Sequence, residues 1–99
     1  MSSPSALIYA GSLMGTGTAI QERRLGFRPK FVKIWNDDGD SGWWSDTLPN
    51  ASIFERIDTT GVGTLEATGG ITPKAAGFDL GDTIMNQATK VIHFIAFGS

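Results

Sequence analysis

The chain has no cysteine, so disulfide staples and thiolate chemistry are excluded, and the redox compartment leaves no mark on the sequence. It has one histidine, His93, in an apolar stretch. Histidine is the usual general base near neutral pH, and a packed, hydrogen-bonded side chain is the reading that fits this one. Positive charge is also short: eight Lys and Arg stand against ten Asp and Glu. That removes the electrostatic footprint that nucleic acid or an anionic membrane requires. No stretch approaches the roughly 20 apolar residues of a membrane span, and no basic segment followed by an apolar one opens the chain. A soluble, unprocessed chain is expected. Also missing are a phosphate-cradling glycine motif with its lysine, a His/Cys metal cluster and a nucleophile elbow. The carboxylates Asp46, Glu55, Asp58, Glu66 and Asp79 show no spacing that singles out a pair for glycoside hydrolysis. These absences argue against an enzyme and call for no catalytic residues and no cofactor.

What the chain does have is glycine, thirteen residues of it with four prolines, scattered through 99 positions. That is the punctuation of many short strands joined by turns. A chain of this length makes one domain that buries roughly 65% of its unfolded surface. The best-marked element is Leu25 to Asn36, where Gly26 and Pro29 precede a run containing Val32, Ile34 and Trp35. Pro29 lacks an N–H and suits the first position of a strand, and the β-branched and aromatic residues after it favour the pleat. Alternation sets Phe31, Lys33 and Trp35 on one face and Lys30, Val32, Ile34 and Asn36 on the other. A central strand with apolar side chains on both faces needs cover on both, and another copy of the protein is one source of it.

Asn36-Asp37-Asp38-Gly39-Asp40-Ser41-Gly42 reads as the tip of an antiparallel hairpin, since Asn, Asp and Gly tolerate left-handed backbone and bond their own main chain. As an EF-hand loop it fails, with Ser41 where glycine is required and Thr47 where the bidentate glutamate belongs, so no metal site is expected. The returning strand carries Trp43 and Trp44, which must point to opposite faces. The outward one serves as an interface anchor, a cap on the core edge or a platform for a sugar ring. Ser52 to Asp58 reads as a further strand, Thr64 to Pro73 as a short hairpin around Gly69-Gly70, Asp82 to Lys90 as a polar loop, and Val91 to Phe97 as a closing strand apolar on both faces. Gly11 to Gly17 reads as a loop or irregular edge, and Thr16 to Glu22 as a weak strand. Arg23-Arg24 is a charged turn or an anion site. The fold expected is all-β, an antiparallel β-sandwich or small jelly-roll-like barrel over residues 11–99, with residues 1–10 as an N-terminal tail or arm.

Gly26-Phe27-Arg28-Pro29-Lys30-Phe31-Val32-Lys33-Ile34-Trp35-Asn36, together with Gly77-Phe78-Asp79-Leu80-Gly81, Asn86 and Val91-Ile92-His93-Phe94-Ile95-Ala96-Phe97, resembles small β-rich structural proteins of tailed bacteriophages, of the capsid-decoration, head-fibre or tail-fibre type. Where such proteins commonly carry tyrosine in the closing strand, this chain has His93 and Phe94. The resemblance implies a non-enzymatic virion surface protein, made in the bacterial host cytoplasm, that rides on the head as a symmetric oligomer, often a homotrimer. Its partners are then further copies of itself and the major capsid protein or another virion protein, with no nucleic acid and no membrane. The alternative is a receptor-binding or tail-fibre module that stacks an exposed tryptophan on host glycan. Phe31, Trp35, Trp43, Trp44 and Phe94 are the candidate interface residues.

Overall fold

At the Asn36 to Gly42 segment the chain turns back on itself and the strands on either side pair. The computed structural model describes residues 7–98 and contains eight strands: β1 (Leu7–Met14), β2 (Ile20–Glu22), β3 (Phe31–Asn36), β4 (Ser41–Ser45), β5 (Ser52–Arg56), β6 (Gly63–Lys74), β7 (Gly77–Leu80) and β8 (Val91–Gly98). They form one antiparallel sheet in the order β1-β8-β3-β4-β5-β6-β7-β2. The protein is all-β, its sheet curled into a half-barrel. β3 is an interior strand, paired with β4 on one side and β8 on the other.

Connectivity forces the curl. β1 and β2 lie at opposite edges of the sheet, yet only residues 15–19 join them. Eight strands laid flat at ~4.8 Å spacing would hold those edges about 34 Å apart, whereas six peptide links reach roughly 21 Å. The sheet must therefore roll until its edges approach. Arg24 bridges the seam: its Nη2 donates to the Ser12 carbonyl of β1 at 2.8 Å and its Nε to Glu22 Oε1 of β2 at 2.6 Å. The hydrogen bond with Glu22 holds the Arg24 guanidinium above its ordinary pKa.

Rolling gives the sheet an inner and an outer face. Val32, Ile34, Trp44, Ile53, Ile71, Phe78, Leu80, Ile92, Phe94 and Ala96, the inward members of their strands, are buried. Each fully buried large apolar side chain contributes about 1.5–3 kcal/mol. Phe78 and Phe94, from β7 and β8, meet edge to face across the interior with centroids 5.3 Å apart. The loop over residues 81–90 closes what the curl leaves open. Its Met85 is wholly buried and packs where Gly42 has no side chain, since a Cβ there would lie 2.8 Å from Met85 Cε. Asn86 stitches this loop to the β1–β2 connection, accepting from Thr16 N at 2.9 Å and donating to the Thr18 and Gly81 carbonyls at 2.6 and 2.8 Å. Thr83 donates to Glu55 Oε2 at 2.7 Å. The inner face thus has its cover within one chain.

Several expectations are corrected. Residues 7–10, read as tail, are the first half of β1, because Ile8 and Ala10 pair with Phe97 and Ile95 of β8. Residues 1–6 of the expected tail lie outside the described residues. Gly11 to Met14 belong to the same edge strand, and Gly11 fits because the rings of Phe94 and Tyr9 lie about 3.1 Å from where its Cβ would be. Of Thr16 to Glu22, only Ile20 onward is strand.

Gly69-Gly70 is not a hairpin turn: β6 runs through it as one strand of 12 residues. On β5, Ile53 pairs with Glu66 while the adjacent Ser52 pairs with Ile71, so β6 carries an excess of residues there and bends. Gly69 takes the left-handed conformation at φ 76°. Gly70 lies against the Ser52 carbonyl, with no room for a Cβ, and Gly81 would place one 2.6 Å from the Gly69 backbone. The glycines allow three backbone segments to cross in contact, with Gly70 N donating to Ala51 O at 3.0 Å and Gly81 N to Gly70 O at 2.9 Å.

Candidate functional site

The hairpin that the Asn36 to Gly42 signal predicts is present, with Gly39 at φ 92° and Asn36 Oδ1 accepting from the amides of Asp38 and Asp40 at 3.0 and 3.1 Å. Its three carboxylates point to three different partners. Asp37 meets His93 Nε2 at 3.0 Å, Asp38 meets Lys90 Nζ at 3.1 Å, and Asp40 turns inward to accept from Asp58 N at 2.9 Å. Among the described residues no group of three His, Cys, Asp or Glu is placed to hold a metal. Arg23 is likewise engaged, with Asp79 at 2.6 Å and the Phe78 carbonyl at 3.0 Å, so with Arg24 it makes a charged, internally paired turn.

The feature left over lies on the outer face. Antiparallel pairing places partners on the same side of the sheet, so β4–β5 pairing brings Trp43 beside Phe54 and β3–β8 pairing brings Phe31 beside Phe97. The rings meet in series: Phe97 to Phe31 tilted at 5.9 Å, Phe31 to Trp43 stacked at 6.2 Å, Trp43 to Phe54 tilted at 5.6 Å. Ile8 pairs with Phe97 at one end and Leu65 with Phe54 at the other. This apolar ladder crosses six adjacent strands, about 24 Å at ordinary strand spacing. Trp43, Phe54 and Phe97 are 37–38% exposed, and Leu65 and Ile8 50% and 56%. Trp35 stands beside the ladder, stacked on the His93 ring at 5.9 Å. The outward positions flanking the ladder on β3 and β5 include the cations Lys33 and Arg56, while the carboxylates on this side of the sheet, Asp37 against His93 and Asp79 against Arg23, are paired away from the rings.

Of the five interface candidates, Phe31, Trp35 and Trp43 come together here. Trp44 and Phe94 do not: both are 1% exposed, and they are withdrawn from the interface set. Trp44 is an inward residue of β4 whose indole N–H donates to Pro49 O at 3.1 Å, and Phe94 is wedged between Tyr9 and Phe78. Phe54, Phe97, Ile8 and Leu65 went unnamed as interface residues. Their strand positions were legible for Phe54 and Phe97, but membership of one row depends on the pairing register. Comparison with protein-family models, curated proteins and solved structures finds no match to this chain.

Proposed function

We propose that this protein is a non-enzymatic assembly component whose outer sheet face docks on protein. The observation that carries the reading is the outer-face row of four contacting rings, extended at both ends by the exposed Ile8 and Leu65. Contiguous apolar patches of this kind mark interaction sites, and clustered aromatic anchors supply most of an interface's energy. Among the described residues the unpaired charges next to the ladder are the cations Lys33 and Arg56, which an acid-bearing partner surface would complement. That favours a heterologous contact, in which each copy's ladder meets a different, acid-bearing surface of the next, and such contacts close into rings such as trimers. With the likeness to tailed-phage virion proteins, the reading becomes a capsid-decoration protein that sits on the head surface as a homotrimer.

The test is light scattering of the dilute protein, followed by rebinding to phage particles stripped of it. Wild type is expected at three times the 10.6 kDa chain mass, and Trp43→Ala and Phe54→Ala should lower that mass or abolish rebinding while remaining folded. Host glycan binding by wild type, lost in Trp43→Ala without loss of particle association, would replace this reading with receptor recognition.

A further inference from the structure

At the end of the curled sheet where β3 begins, a depression of about 300 Å3 opens between Arg28, Lys30, Asp46 and Asn50, with Pro29, Pro73 and Trp44 forming its walls. We propose that it is a binding site for a carboxylated sugar residue, of the uronic or sialic acid kind, separate from the aromatic ladder and independent of the docking proposed for it.

The frame of the site is fixed by bonds that leave its polar tips unspent. Pro29 is buried and holds its own φ, and Arg28 and Lys30 on either side of it both line the same concavity. Lys30 N donates to Phe97 O at 2.7 Å, and Asp46 N donates to Lys30 O at 2.8 Å. Opposite them, Pro49 O accepts from the Trp44 indole at 3.1 Å and from Ser52 Oγ at 2.5 Å, which pins the turn presenting Asp46 and Asn50. Arg23 and Arg24 have carboxylate partners. Among the described residues Arg28 and Lys30 have none, and Arg28 reaches only the Pro73 carbonyl, at 3.4 Å. The side chains of Asp46 and Asn50 also make no hydrogen bond to a described residue.

The chemistry of the set selects the ligand. Two cations beside one carboxylate leave a single positive charge, which matches a monoanion, whereas a phosphate dianion would meet Asp46. Asp46 and Asn50 supply acceptors and a donor for neighbouring hydroxyls. The volume is at the small end for ligand pockets, enough for one sugar unit.

Amide-resolved NMR titration of the full chain with galacturonate and N-acetylneuraminate, with galactose and acetate as controls, tests this. Saturable shifts centred on residues 28–30, 44–50 and 73 are expected for at least one acid sugar, with galactose weaker by about tenfold or more, the weight of one charged hydrogen bond, and acetate weaker for want of the ring hydroxyls. Arg28→Gln and Lys30→Gln should each weaken binding by about tenfold, and Arg56→Gln on the outer face should leave it unchanged. Asp46→Ala separates a sugar site from a plain anion site. It removes the acceptor for neighbouring hydroxyls and should narrow the preference for galacturonate over acetate, whereas a plain anion site would bind both more tightly with their ratio unchanged. An unchanged galacturonate-to-acetate ratio in Asp46→Ala, acetate as good as galacturonate on wild type, or no saturable shift with either acid sugar would each overturn the proposal.

Discussion

Trp43 and Trp44 are neighbours in the chain and opposites in the fold. Trp44 points inward, is 1% exposed and satisfies its indole N–H on Pro49. Trp43 points outward, is 37% exposed and meets only other surface rings. The same side chain is thus a core plug in one position and a link in a surface ladder in the next. Inside, burial is completed by the chain's own 81–90 loop; outside, apolar area remains exposed. Stability and association should therefore divide between the two faces, and substitutions can separate them.

The largest effect is expected from Trp44→Ala, which leaves a cavity in the interior and should cost about 3–5 kcal/mol in chemical denaturation. A loss under about 1 kcal/mol would mean that the inner face is not the principal core. Gly70→Ala should follow, because its Cβ has no space against the Ser52 carbonyl. Overpacking of this sort costs about 1–3 kcal/mol, and an unchanged melting temperature would show that the bend in β6 is looser than described. Asn36→Ala removes the acceptor of two turn amides from a buried site. About 1–3 kcal/mol should be lost, without change in oligomer mass by light scattering. Smallest in stability is Trp43→Ala, about 0.5–1.5 kcal/mol for the lost aromatic contacts, yet it should carry the largest loss of association. If Trp43→Ala denatured the chain as Trp44→Ala does, the division between the faces would be wrong.

Local chemistry made much of this legible. Pro29 and the Val32, Ile34, Trp35 run mark β3; the Asn36 to Gly42 turn contains φ-tolerant residues and self-bonding side chains; period-two alternation sends Trp43 and Trp44 to opposite sides. The ladder was only half legible. Phe31, Trp35 and Trp43 were named from their own strands, but Phe54, Phe97, Ile8 and Leu65 join them through register, which is a relation between strands far apart in sequence. Trp44 and Phe94 were misjudged for the same reason: an apolar side chain on a strand has a face by alternation, and which face is interior depends on how the sheet rolls.

The sequence by itself determined β3, β4 and β8, the Asn36 to Gly42 turn and the absence of cysteine and basic excess, because these depend on backbone preferences and counts within a few residues. Only the tertiary structure decided the rest. Gly69-Gly70 reads locally as a turn, and becomes a bend within β6 because Ser52 and Gly81 press on it from either side. The 81–90 loop reads as polar, and becomes a cover for the core because Met85 finds the space that Gly42 leaves. The curl itself follows from joining the two edge strands through residues 15–19. That roll sets which side of every strand is buried and leaves the aromatic ladder on the side that is not.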